Sequence, residues 1–241
     1  MAHRYYIDSI SGEQIAIRGQ DAVHISRVMR HREGDVIVLS DRQGHDYTAE
    51  IIKAGEDEVL CRMLEKRENP ADPVKKLTVF MALPKGDKLE MIVQKCCELG
   101  AFRIVPFVSR YCVAQKSKKD QNKVARYNRI SEEACKQCGR SVPMEVTETR
   151  TFREMLGLLD GYDRKVLFYE HGKSRLGDLD LSHSENVAII IGSEGGFSEE
   201  EAAQMEQAGC DNVVLGHRIL RCETAAIAAT AMTMLLMGEM E

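Results

Sequence analysis

Two glycine-ended segments toward the C-terminal end hold the side chains best spaced for chemistry. In the first, the apolar run Ile189, Ile190, Ile191 stops at Gly192 and passes through Ser193, Glu194, Gly195 and Gly196 to Phe197. In the second, residues 213–215 stop at Gly216, and Arg218, Arg221, Glu223 and Thr224 follow before a run of small and apolar residues, 225–237. Glycine permits positive φ and leaves no Cβ in the way, so both segments suit close main-chain contact with a small molecule. Two cations at the entrance of an apolar helix are badly placed unless they face a cleft. A phosphate is a weak match for the first loop, because no Lys-Ser/Thr follows its glycines and their spacing is not G-x-G-x-x-G. Glu194 would repel a phosphate yet could meet a cation, a ribose hydroxyl or a loop amide. A glycine-rich connection that binds nothing stays open on the first loop alone.

The elements that position these loops read as alternating strands and helices. Residues 76–83, 102–106, 165–169, 187–191 and 213–215 are short apolar runs, and residues 88–99, 122–139, 151–159 and 198–208 have helical spacing. That alternation predicts a covered, largely parallel sheet. Ser198 with Glu201 three residues on reads as a capping box. The N-terminal part differs: residues 5–7, 14–18, 35–40, 47–53 and 58–65 are β-rich, with one helix over 21–30 and a hairpin signal at 41–44. Asn69-Pro70-Ala71-Asp72-Pro73 breaks both periods, which predicts a small barrel over 1–70 and an α/β domain over 74–241.

Composition narrows the class. In 241 residues with 44% hydrophobic content there is enough for a true core, and no segment reads as a signal peptide or a convincing membrane span, so a soluble, cytoplasmic protein is expected. The eight cysteines lack paired finger spacing and read as reduced thiols used as small hydrophobes; seven scattered histidines complete the expectation of no metal site. Net charge is −5, but residues 103–140 hold ten basic against three acidic side chains, whereas residues from 141 onward hold eight basic against eighteen acidic. Such polarity can hold an anionic polymer on one face of an acidic molecule; a solvated charged helix around residues 116–123 is the plain alternative.

The two loops closely resemble the second and third signature loops of SPOUT-class methyltransferases and, more narrowly, those of the RsmE family, the 16S ribosomal RNA uridine-N3 methyltransferases. Usual family forms have Pro at the place of Ser193 and Thr at that of Cys222; the first change loosens the loop and the second removes a stronger hydrogen-bonding hydroxyl. His3 to Tyr6, His24 to Arg30 with Gly34-Asp35, Lys95 to Gly100 with Pro106, and Glu133 to Gln137 with Arg140 and Pro143 extend the resemblance along the whole chain.

The resemblance implies a PUA-like RNA-binding barrel followed by an α/β domain knotted as a deep trefoil, which periodicity cannot reveal. It implies S-adenosylmethionine as methyl donor, held by Leu167 to Glu170, by Ile191, Gly192, Glu194, Gly195 and Gly196, and by Leu215, Gly216, Ile219, Leu220 and Thr224. Arg221 could stabilise charge developing on the base, while Glu223 could accept a proton or orient the arginine; Glu223 as a helix cap merely paired with Arg221 is equally open. Arg4, Arg27, Arg30 and the face from Arg110 through Arg126 to Arg140 would hold phosphates of 16S ribosomal RNA, free or within the small subunit. A homodimer is also implied, with the Ala- and Met-rich last helix as its contact surface. Two other readings remain. A nucleotide-dependent oxidoreductase would need G-x-G-x-x-G near the first strand, which Leu83-Pro84-Lys85-Gly86 does not supply. A noncatalytic RNA-binding protein on the same fold would have less use for the intact glycines and for Arg221, Glu223 and Thr224.

Overall fold

The computed structural model describes residues 4–7, 9–113 and 120–240; His3 and the lysines at 116, 118 and 119 lie outside them. The chain divides into two compact units, Met1–Asp72 with Cys135–Pro143, and Pro73–Ala134 with Met144–Glu241.

The first unit is a six-stranded sheet. Its strands are β1 (Arg4–Tyr6), β2 (Ser9–Ser11), β3 (Gln14–Arg18), β4 (Val36–Ser40), β5 (His45–Lys53) and β6 (Glu58–Glu68), in the spatial order β1-β4-β5-β6-β3-β2. Only β1 and β4 pair in parallel. Alternation along β5, where Tyr47, Ala49 and Ile51 are buried, turns one face onto a core of Tyr5, Ile15, Ile17, Leu39 and Val59. The helix expected over 21–30 lies two residues earlier and changes type: α1 (Gly19–Val23) runs directly into a π-helical turn, His24–Val28, and Arg30 follows at φ 57°. β2 is an extra hairpin partner for β3 that the residue pattern had not marked.

Cys135–Pro143 joins this unit through polar anchors that sequence spacing cannot reveal. The Asp72 carboxylate accepts from the Ser141 and Val142 amides at 3.0 Å each and from the Ser141 hydroxyl. Asn69 Nδ2 donates to the Gly139 carbonyl at 3.0 Å, and Lys136 Nζ to Asp21 at 2.9 Å.

The second unit is built on a parallel sheet. Its principal strands are β7 (Lys76–Ala82), β8 (Arg103–Val108), β11 (Arg164–Phe168), β13 (Asn186–Ile191) and β14 (Asp211–Val214), with the short β9 (Glu145–Val146), β10 (Arg150–Thr151) and β12 (Ser174–Arg175) at the margins. Order β10-β8-β7-β13-β11-β14-β12, every pair parallel, matches the alternating pattern in the sequence. Residues 187–191 are all buried, as expected of a strand covered on both faces. The helices are α2 (Lys88–Glu98), α3 (Asp120–Cys138), α4 (Phe152–Leu158), α5 (Glu199–Gln207) and α6 (Cys222–Leu236). Ser198 and Glu201 form the capping box expected for α5. α6 starts at Cys222, three residues before the apolar run, because Arg221 is already an extended N-cap. Small residues let α6 approach α2 closely: Ala226 and Ala229 are fully buried and Thr230 Oγ1 lies 3.4 Å from Cys96 Sγ. Among the described residues no helix is long and apolar enough to cross a membrane. All eight cysteines are free, six buried and two partly so.

Candidate active site

Three strand ends lie level at the carboxyl edge of the sheet, since Phe168 of β11 is in register with Ile191 of β13 on one side and Val213 of β14 on the other. The loops leaving them therefore converge, at the edge where open α/β sheets bind ligands. They enclose a cleft of about 660 Å³, within the usual size of small-molecule sites.

The β13 loop is a tight turn: the Gly196 amide donates to the Ser193 carbonyl at 3.0 Å, with Gly196 at φ 64°. A Cβ at Gly196 would also stand 3.2 Å from a Glu170 carboxylate oxygen, so glycine here allows the β11 loop to approach. Ser193 Oγ is buried and has no hydrogen-bond partner among the described residues. From β14 the chain passes Leu215 to Leu220 along the cleft and enters α6 at Arg221.

Most of the expected small-molecule contacts meet here. Glu170, Ile191, Gly192, Glu194, Gly196, Leu215, Gly216, Ile219, Leu220 and Arg221 line the cleft. Leu167 does not, because alternation along β11 turns it fully into the core while Phe168 takes the lining position. Gly195 backs onto Tyr111 rather than the cleft, and Thr224 is an exposed residue in the first turn of α6. Glu223, in that same turn, reaches the lining through another residue.

That residue is Lys88, which the sequence reading did not single out. Lys88 Nζ lies 2.8 Å from Glu194 Oε1 and 3.3 Å from Glu223 Oε2, and the Lys85 amide donates to Glu194 at 3.1 Å. Partial burial pushes the Glu194 carboxyl up, but the Lys88 ammonium and loop amides outweigh it and hold the group below the usual carboxylate range. Glu223 is held low by its own backbone amide first, then by the Cys222 thiol and Lys88. The bond that Lys88 donates to Glu194, more than any other contact, raises Lys88 above the ordinary lysine value. Burial pushes the Cys222 thiol up to about 12, so it stays protonated and donates to Glu223 at 3.3 Å. Glu223 is thus an ionised partner of Lys88. Arg218 and Arg221 line the cleft with no ion-pair partner among the described residues, and His217 lies beside them.

The arginines expected to hold phosphates separate by burial. Arg4 is largely buried, with Nη2 2.8 Å from the buried Asp46, and Arg140 is 3% exposed beside Asp72; both are framework in the first unit rather than phosphate-facing cations. Arg27 and Arg30 are exposed on that unit, Arg27 in a loose 3.6 Å pair with Glu56. On the second unit Arg110 pairs with Glu200 and Arg126 with Glu90, all four at or near the surface, where a pair contributes little and can yield to a competing anion.

Comparison with known proteins follows this division. An RNA methyltransferase domain model matches residues 70–234 and an RNA methyltransferase PUA domain model residues 17–64. The chain is 34% identical to the Bacillus subtilis ribosomal RNA small subunit methyltransferase E, over 94% of its own length and 93% of that protein's. The Aquifex aeolicus protein of the same name is 27% identical over 96% and 99%. Among solved structures, a Neisseria gonorrhoeae ribosomal RNA small subunit methyltransferase E bound to S-adenosyl methionine superposes with a TM-score of 0.88 at 28% identity, covering 98% of both chains. A Legionella pneumophila methyltransferase in complex with the same cofactor gives 0.86 at 27% identity, again over 98% of each.

Proposed function

This chain belongs to the ribosomal RNA small subunit methyltransferase E family, and from that premise we propose that it transfers the methyl group of S-adenosylmethionine to N3 of one uridine in 16S ribosomal RNA. The observation that carries the reading is the convergence of three strand-end loops on one cleft that combines main-chain groups, apolar side chains and both signs of charge. Those are the donor's needs. Ile191, Leu215 and Leu220 offer apolar walls to an adenine, Glu170 an acceptor for ribose hydroxyls, and loop amides and carbonyls the remaining polar contacts.

The bound donor supplies an electrophilic methyl group for in-line displacement. The loops hold donor and acceptor in line, and such orientation can contribute up to about 7 to 11 kcal/mol. Uridine N3 is a weak nucleophile until its proton leaves, so charge develops on the base. Arg221, exposed at the mouth of the cleft, is the cation we place against that charge. Glu223 pairs with Lys88 rather than with Arg221, which weakens the part of orienting the arginine, and its carboxyl is held below the usual range, which weakens that of proton acceptor. The target base must leave its stack to enter. Arg27 and Arg30 on one unit, and Arg110 and Arg126 on the other, are the cations we assign to phosphates.

The exposed apolar residues Met232 and Leu235 of α6 support a homodimer through that helix. Leu235→Glu should then convert a dimer to a monomer in light scattering; an unchanged mass would move the interface elsewhere. Calorimetry tests the cofactor reading itself. Binding of S-adenosylmethionine and not of NAD is expected, and absence of donor binding would leave an RNA-binding protein without catalysis.

A further inference from the structure

Three elements far apart in sequence meet at one ammonium. Lys88 opens α2 beyond the end of β7, Glu194 sits in the turn after β13, and Glu223 lies in the first turn of α6. Lys88 Nζ reaches Glu194 Oε1 at 2.8 Å and Glu223 Oε2 at 3.3 Å. A carboxylate in the glycine turn and another on the final helix thus share one counter-charge. Without it, two ionised groups would face each other across the gap between two cofactor-holding loops.

We propose that Lys88 is a positioning residue for the methyl donor: it clamps the glycine turn to the start of α6 and so sets the width of the cleft. This rests on the reading of the cleft as the S-adenosylmethionine site. Lys88 acts through Glu194 and Glu223 and is given no contact with the reacting atoms. The Lys85 amide gives Glu194 a second anchor at 3.1 Å, on the same segment as Lys88, so the turn is held against the start of α2 as well. The side chain is one-third exposed, and its loss leaves no large cavity, so the fold should tolerate substitution.

A clamp and a mere local charge make different predictions. The donor carries a sulfonium, whereas its product, S-adenosylhomocysteine, carries none. Deleting a positive charge would, through space alone, favour the donor over the product. Deleting a clamp weakens both alike. The other titratable or charged groups lining the cleft among the described residues are Tyr169, Glu170, His217, Arg218, Arg221 and the Cys222 thiol, and they are common to wild type and variant. The difference between two pH profiles therefore reports on Lys88 with Glu194 and Glu223.

The experiment is calorimetric titration of the full-length wild type, Lys88→Met, Lys88→Arg and Lys88→Met/Glu194→Gln with both ligands from about pH 5.5 to 8. Lys88→Met should weaken both by a similar factor, about tenfold or more near neutrality, with part of the loss recovered at the acid end as the carboxylates take up a proton. The arginine variant should stay near wild type, and the double variant, free of the repulsion but still without the bridge from the turn to α6, should recover only part of the loss. Lys88→Met affinities within twofold of wild type, or tighter donor binding with product binding unchanged, would overturn the clamp. Failure of the wild type itself to bind the donor would instead strike the cofactor reading.

Discussion

Gly195 and Tyr111 touch at a point where no side chain fits: a Cβ built on Gly195 would lie 2.7 Å from the Cβ of Tyr111. The contact is between main-chain-proximal atoms, so no rotamer change of the tyrosine relieves it. Gly195→Ala must shift the turn that carries Glu194 and Gly196 toward the cleft or displace Tyr111. Strain of this kind costs about 1 to 3 kcal/mol. Donor affinity should fall about tenfold or more, while Tyr111→Gly in the same background, which removes the clashing Cβ, restores it. Unchanged affinity in Gly195→Ala would mean the turn does not shape the cofactor site.

The Lys88, Glu194 and Glu223 cluster sets a pH dependence of definite sign. Both carboxyls are lowered in the fold, so their stabilisation is complete above the unfolded carboxylate value, about 4.3, and is lost as pH falls through the lower folded values. Lys88 is raised, so its share is complete below the unfolded lysine value, about 10.4, and is lost only above its folded value. The difference in melting temperature between wild type and Glu194→Gln should be constant from about pH 6 to 9 and shrink below about pH 4. A difference that changes steeply near neutrality would show that another group controls the cluster.

Arg221→Ala separates binding from turnover. Arg221 stands at the mouth of the cleft without an ion-pair partner among the described residues, so its removal frees no buried charge. Donor affinity should stay within a few-fold while most turnover is lost, about 100-fold or more by analogy with removal of one preorganised charge-stabilising donor. Full activity in this variant would refute the assigned role.

Much of the site was legible because local chemistry decided it. The Gly192–Gly196 turn, the Ser198–Glu201 cap and the buried 187–191 strand each follow from neighbouring residues, and the structure places them as the residue types indicate. What could not be read depends on long-range placement. Lys88 lies 106 residues from Glu194, and nothing near it in sequence marks that contact. Arg4 looks like a surface cation until Asp46, 42 residues on, is found beneath it. Leu167 and Phe168 are both apolar, and only the phase of β11 against its two neighbours decides which faces the cleft. The start of α6 at Cys222 escaped because Glu223 and Thr224 are polar, and packing of the later apolar turns carries the helix back through them. The trefoil threading rests on the resemblance alone, since hydrophobic period carries no information about which loop passes through which.

Mass mapping of 16S ribosomal RNA, free and in small subunits that lack the modification, after incubation with the purified protein and S-adenosylmethionine, tests the proposed reaction at its product. One added methyl group is expected, on N3 of a single uridine and absent when the donor is withheld. A methyl group on another atom or another base would contradict the proposed reaction, and no transfer to either substrate would contradict the enzyme itself.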